Sequence, residues 1–451
     1  MVSLKSYLRP MIKIDILGQK HKSVSTYTTR SHVEGNVIIT VHNNTPFDGI
    51  DISFEGTSLF LHLSCFLPSA NNVESGTTRC STERPHGQMD ACHRFLYMRQ
   101  PMDEMSYPIP RVLERNHVYT FPFTFVIPDR VLPQTCSHPK SNTQIEHAHT
   151  MLPPSLGDQA LAMNGKRLLD DISLEICSIS YCVKADIFRR PIDNSVSKET
   201  FATVSKHLRV IPFGEEEPPL SITGNMHTYR MRTEKDVRGG FGKSKLGQLV
   251  AQASQPRPIQ LPHPNCETGG TGSTFTKVQL RFDPVDGEQP PALRNVSRNI
   301  RVTTFFGVNP WEDYPHATEL GWTHIGRGLF TKTIPLSHLC VVPVQWVRHA
   351  ASKASHGCCD SAQSSPSYES SIDPLPRPSS SFNGSPYYTA SIIVPVTLPR
   401  DREFVPTFHT CLVSHIYTLY LSVSYQTTRS TNIMAPSVSL KIPIQAILSR
   451  A

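Results

Sequence analysis

The sequence predicts an all-β protein built as two antiparallel β-sandwich domains in tandem, and three observations carry that prediction. Apolar and polar residues alternate with a period of two through about a dozen short segments, as strands with one buried face require. Helical spacing is nearly absent, with one weak instance near Lys245–Ala253. A Pro- and Glu-rich break, IPFGEEEPPL at 211–220, divides the 451 residues into two strand-bearing halves of ordinary domain size.

The strands are read in chain order. Ile12, Ile14 and Ile16 share one face of a first strand. Val33, Val37, Ile39 and Val41 share a face of the next, and Ile50, Ile52 and Phe54 of a third. The polar stretch between those two, at 42–49, reads as a hairpin or short strand connection left free to touch partners. Tyr119, Phe121, Phe123, Phe125 and Ile127 then alternate, and Pro122 inside that run marks an edge strand or a bulge. Ile179, Tyr181, Val183, Ala185 and Ile187 follow, then Val204, Leu208 and Val210.

Beyond the break the same pattern resumes. Val278, Leu280 and Phe282 form one set, and Ile300, Val302, Thr304 and Phe306 another. Tyr388 to Val396, Tyr417 to Tyr425 and Val438 to Ile444 complete it at alternate positions. The implied organisation is a first sandwich over 1–212, a hinge over 213–220 and a second sandwich over 221–451. Three stretches lack strand patterning: a polar loop at about 64–110, a Pro/Gly/Thr-rich segment at 253–273, and a Ser/Pro-rich tract at 350–386. The last is too poor in apolar residues to order itself and reads as a disordered insertion.

Composition narrows the function. The net charge of +7 is spread along the chain, without the clustered cations and stacking aromatics of a nucleic-acid binder. The 11 cysteines include no Cys-x-x-Cys pair, which argues against a zinc ribbon or a redox motif. The opening MVSLKSYLRPMIKIDILG has no apolar stretch of the secretory type, and no run approaches the length of a membrane helix. A reducing intracellular compartment with free thiols follows as the expectation, leaving the sequons at Asn43, Asn295 and Asn383 without use.

Several motifs invite chemistry. GGFGKS at 239–244 resembles a phosphate loop, but Val237 stands where that pattern needs its first glycine. Cys136, His138, Glu146, His147 and His149 are all metal-competent, yet their spacing matches no standard ligand pairs, and they read as surface residues. No HExxH, GxSxG or paired-carboxylate motif is present, so the expectation is a protein without catalytic, cofactor or metal residues. Residues 226–245 are more suggestive. Arg230, Arg232, Lys235, Arg238, Lys243 and Lys245 stand there against Glu234 and Asp236, a basic run suited to anionic headgroups or a phosphorylated tail.

Taken in order, several segments resemble the arrestin superfamily, and more narrowly the fungal α-arrestin-like proteins. In the first half these are YTTRSHVEGNVIITV (27–41), IDISFEGTS (50–58), YTFPFTFVIPDRVLP (119–133), LPPSLGD (152–158) and ISYCVKADIFR (179–189). In the second they are RFDPVDGEQPP (281–291), the run from Val394 to Tyr425, and VSLKIPI (438–444).

The resemblance implies two immunoglobulin-like sandwiches of the arrestin fold, joined by a short hinge, and no catalysis. It implies a cytosolic adaptor, peripheral at the plasma membrane or endosomes. Such an adaptor holds transporter or receptor tails and recruits a HECT-type ubiquitin ligase for endocytosis. A sorting-coat subunit or a signalling scaffold at a membrane sensor is the alternative from the same superfamily. Two departures stand out. The glycine usual in the turn before the second strand is Arg30, and no PPxY ligase-docking motif occurs; Pro366 and Tyr368, in SSPSYES, form its nearest fragment. Ser365 and Ser385, each followed by proline, are candidate phosphosites.

Overall fold

The structure is a computed structural model that describes residues 10–19, 24–63, 79–83, 88–165, 170–174, 177–189, 199–216, 228–239, 244–264, 272–316, 326–341, 344–350, 375–384, 386–427 and 435–450. The first half contains β1 (Met11–Ile16), β2 (Thr26–Tyr27), β3 (His32–Thr40), β4 (Thr45–Pro46), β5 (Gly49–Leu63), β6 (Arg79–Glu83) and β7 (Gln88–Arg99). It continues through β8 (Val112–Leu113), β9 (Val118–Val126), a short helix α1 (Thr143–Thr150), β10 (Cys177–Arg189) and β11 (Glu199–Val210). The second half begins with β12 (Arg232–Arg238), β13 (Lys245–Ala253), β14 (Ile259–Gln260), β15 (Ser273–Pro284), β16 (Ala292–Gly307) and β17 (Arg327–Pro335). It ends with β18 (Leu339–Cys340), β19 (Val347–His349), β20 (Tyr387–Thr397), β21 (Phe408–His409), β22 (Val413–Gln426), β23 (Ser437–Ile444) and β24 (Ala446–Ile447).

The chain is therefore mostly β, as its alternation predicts. A three-stranded sheet in the order β1-β3-β9 and a six-stranded one in the order β2-β11-β10-β5-β7-β6 form the first half. The second half has a five-stranded sheet, β12-β13-β15-β20-β19, and a sheet β17-β16-β22-β21 to which β18 and β23 add. Among the described residues no sheet mixes strands from the two sides of 213–220. Pairing among the described residues is antiparallel except for two short parallel contacts, β2 on β11 and β14 on β24.

Alternation placed the core faces well. Val33, Val37 and Ile39 on β3 are buried, as are Ile50, Ile52 and Phe54 on β5 and Val278, Leu280 and Phe282 on β15. Yet β3 and β5 do not form a hairpin. They lie in different sheets, so residues 41–48 carry the chain across from one to the other. The apolar face of β5 needs an opposing sheet to cover it, and Phe54 accordingly meets Phe125 of β9 at 5.9 Å between ring centroids. Pro122 does sit on an edge strand, since β9 bonds only to β3 and a missing N–H breaks no second ladder.

The left-handed backbone at Arg30, with φ of 66°, shows how the turn before β3 is made without glycine. Arg30 donates through Nε and Nη2 to Asp129 across the turn. Arg450 near the other end of the described chain donates to the same carboxylate.

Three expectations are corrected. The stretch 64–110 is not simply a polar loop. It contains β6 and β7, with β7 hydrogen-bonded along β5 and its Phe95 and Leu96 buried. The weak helical pattern at Lys245–Ala253 is strand β13, whose two faces are both largely buried; burial on both faces removes the period of two and imitates helical spacing. Part of the 350–386 tract, residues 375–384, is held against the outer face of the β12–β15 sheet rather than disordered, and residues 351–374 lie outside the described residues.

Candidate functional sites on the basic face and at the seam

The basic run is not a loose loop. Arg232 to Arg238 form β12, hydrogen-bonded to β13, and GGFGKS belongs to the connection between them, where no helix follows to favour a phosphate. Neighbouring acids take up most of the charge. Arg232 pairs with Glu234 at 2.6 Å, Lys245 with Asp236 at 2.8 Å and Arg238 with Asp236 at 3.7 Å. The ammonium of Lys245 is the main reason the Asp236 carboxyl titrates below its usual range. Lys235 donates to the Ser437 carbonyl, and Lys243 lies outside the described residues. Pro366, Tyr368, Ser365 and Ser385 lie outside them too.

Arg230 is different. Its backbone bridges to Lys441 on β23, which stands directly across from Tyr420 on β22. Arg301 of β16 lies over the Tyr420 ring at 4.2 Å, and the Lys441 ammonium is 5.4 Å from the same ring. Among the described residues no carboxylate pairs with these three cations. Burial lowers the Lys441 pKa, and the charges of Arg230 and Arg301 lower it further, as uncompensated like charges do. The cationic face is thus centred on Arg230, Arg301 and Lys441. Sequence reading found only the first, because the other two sit singly in alternating strands.

The second site lies where the halves meet. Cys136 ends a 3-10 turn begun at Pro133, and His149 lies in the last turn of α1, a helix started by Asn142, whose side chain accepts from the Ile145 N–H. Both residues are buried, at 3% exposure each, whereas Glu146 and His147 are exposed. The reading of this group as surface residues therefore fails for two of its members. A polar octapeptide helix, TQIEHAHT, gives little sign of which side will be covered.

Cys136 Sγ is 2.9 Å from His138 Nε2 and 3.6 Å from His149 Nδ1. The His138 Nδ1 faces the Pro139 carbonyl at 2.8 Å; it donates there and leaves a lone pair on Nε2 towards the sulfur. From the second half comes Cys411, in the tight turn between β21 and β22 that is closed by Thr410 N–H donating to Val413 O at 2.7 Å. A hydrogen bond with the Cys411 side chain is the main influence holding the Cys136 thiol far below its ordinary pKa; burial opposes it, and the two histidines reinforce it. Two ring nitrogens here are buried without a hydrogen-bond partner, Nε2 of His149 and Nδ1 of His409. Burial, with a smaller contribution from His149, lowers the His409 pKa to about 3.

Ion pairs extend the seam. Arg209 at the end of β11 reaches Glu403 at 2.6 Å, and Asp170 accepts from Lys332 at 2.7 Å and Arg402 at 2.9 Å. The Lys332 contact is the main cause of a lowered Asp170 pKa. The backbone joins in, with Ser141 N–H on Glu312 O and Gly214 N–H on Leu448 O. Among the described residues no helix is long and apolar enough to cross a membrane. Compared with known protein families and with curated proteins, the chain matches none.

Proposed function

We propose that the chain is a non-enzymatic adaptor of the arrestin type, two immunoglobulin-like sandwiches locked side by side to present one rigid binding surface. Its ligand is an acidic or phosphorylated cytosolic tail of a membrane transporter or receptor. Its place is peripheral to the plasma membrane or endosomes, where a HECT-type ubiquitin ligase acts on the captured cargo.

The observation that carries the reading is the cluster of Arg230, Arg301 and Lys441 around Tyr420, three cations with no acidic partner among the described residues. Like charges held together on a folded sheet cost stability unless an anion meets them. A phosphate or carboxylate on a tail would do so through charge-assisted hydrogen bonds. The paired cations of β12 contribute less, because Glu234 and Asp236 already neutralise them.

Proximity labelling in intact cells tests the reading. Transporters or receptors and a ubiquitin ligase should be enriched around the wild type. The variant Arg230→Glu/Arg301→Glu/Lys441→Glu should lose the cargo signal by about tenfold or more, the equivalent of ~1.4 kcal/mol or more. Absence of any membrane protein from the wild-type set would sink the adaptor reading.

A further inference from the structure

We propose that Cys136, His138, His149 and Cys411 are the four ligands of a tetrahedral zinc ion that staples the first half of the chain to the second. The proposal is independent of the adaptor reading and rests on four observations.

Three of the four ligand atoms already converge. Cys136 Sγ, His138 Nε2 and His149 Nδ1 all lie within 4.8 Å of one another. Zinc held at about 2.3 Å from sulfur and about 2.05 Å from nitrogen spreads a tetrahedral S/N pair to about 3.6 Å. The Cys136–His149 separation is 3.6 Å. The Cys136–His138 separation of 2.9 Å needs to open by about 0.7 Å, and His138 is only half-buried on an irregular segment that can give that much.

The second observation is the donor type. Two thiols and two imidazoles make up the Cys₂His₂ set that structural zinc prefers. The third is tautomer control. The His138 Nδ1–H is committed to the Pro139 carbonyl, the outer contact that fixes a zinc-bound imidazole with its other nitrogen facing the metal. Among the described residues His149 has no such outer hydrogen bond: its buried Nε2 is without a partner, as is Nδ1 of His409, whose titration His149 influences.

The fourth is position. Cys136 and Cys411 are both buried, and their side chains meet although they come from opposite halves. Three ligands belong to one short segment, 136–149, and the fourth to the closed β21–β22 turn. One ion would thus fix α1 to that turn. The Ser141–Glu312 backbone hydrogen bond ties the same segment to the residue after Trp311, whose N–H donates to the Cys411 carbonyl at 2.8 Å.

The test uses the full chain, reduced and equilibrated with Zn²⁺, then freed of unbound metal and analysed by elemental mass spectrometry. One zinc per chain is expected. Replacement by Co²⁺ should give the intense visible bands of a tetrahedral site together with a thiolate-to-cobalt charge-transfer band. Cys411→Ser should halve that charge-transfer band, since one of two thiolates is lost, and Cys136→Ser should lower bound metal to about a tenth of an equivalent or less. If Cys136→Ser fails to fold, the wild-type stoichiometry and cobalt spectrum still decide. A wild type that retains no zinc and shows no tetrahedral cobalt bands overturns the site. A charge-transfer band unchanged in Cys411→Ser overturns the staple between halves.

Discussion

Two buried polar clusters in this molecule solve the same problem in opposite ways. On the outer face of β15, Arg281 and Asp283 are each about 5% exposed and pair at 2.8 Å. Residues 375–384 and the start of β20 cover them: Ser379 N–H donates to Asp283 at 2.8 Å, the Pro376 carbonyl accepts from Arg281, and Phe382 and Tyr387 of β20 stack on the guanidinium. This cluster balances its own charge. At the seam, Cys136, His138 and His149 gather their donor atoms within 4.8 Å, include no carboxylate–guanidinium pair, and leave Nε2 of His149 without a partner, as Nδ1 of nearby His409 is. The difference teaches what each is for. A self-neutralising pair fastens one chain segment to a sheet, whereas a set of lone-pair donors facing each other calls for a cation.

Breaking the balanced cluster should give the largest effect. Arg281→Met removes the cation paired with a buried carboxylate, and a loss of about 3–5 kcal/mol in unfolding free energy is expected from denaturant titration. Arg281→Met/Asp283→Leu should recover most of that loss, because no charge then stays buried without a partner. A double variant as unstable as the single one would mean that packing of residues 375–384, not charge, holds the clamp.

Acid sharpens the comparison from another side. His415 is fully buried, with Nδ1 at 2.8 Å from Thr304 Oγ1 and Nε2 at 3.1 Å from the Tyr417 hydroxyl, and burial lowers its pKa to about 3. Its folded pKa lies below the unfolded value of about 6.5, so between these the unfolded chain binds the extra proton. The His415 contribution to stability is therefore full above pH ~6.5 and falls by about 1.4 kcal/mol per unit below it, a loss of about 2 kcal/mol at pH 5, and His409, lowered to about 3 as well, adds a similar loss. His415→Gln should remove about half of the combined slope in that part of the stability–pH curve; an unchanged slope would assign the acid sensitivity elsewhere.

At the seam a smaller effect is expected from Arg209→Gln. Its pair with Glu403 is partly buried, with side-chain exposures of 11% and 32%, so a loss of about 1–2 kcal/mol should appear in thermal unfolding. The zinc staple predicts that this loss grows when the metal is stripped, since the ion pair and the ligands then no longer share the load. Equal losses with and without zinc would make the two contacts independent.

The strands were legible where one face alone is apolar. Ile12, Ile14 and Ile16, or Val438, Leu440 and Ile442, announce themselves because solvent covers the other face. β13 misled because it is covered on both sides, and β12 and β17 escaped because they are edge strands rich in charge and threonine. For the sites, three metal-competent residues were visible as Cys136-x-His138 and His149, but their burial was not. The Asn142 cap was the available sign of a helix there. Cys411 could not be paired from sequence, since its nearness to Cys136 depends on how the two halves dock.

The smallest effect is expected at Arg30, where the seam and the backbone pull against each other. A non-glycine residue at φ of 66° carries roughly 1 kcal/mol of strain, which Arg30→Gly would release. The same change removes an ion pair to Asp129 between side chains 65% and 42% exposed. Such exposed pairs contribute about 0–1 kcal/mol. The two terms nearly cancel, so the melting temperature in moderate salt should move by no more than about 2 °C in either direction. Raising the salt screens the pair and leaves the strain untouched, so the glycine variant should become the more stable of the two. If high salt instead favoured the arginine, the left-handed turn would owe its stability to something other than the Asp129 contact.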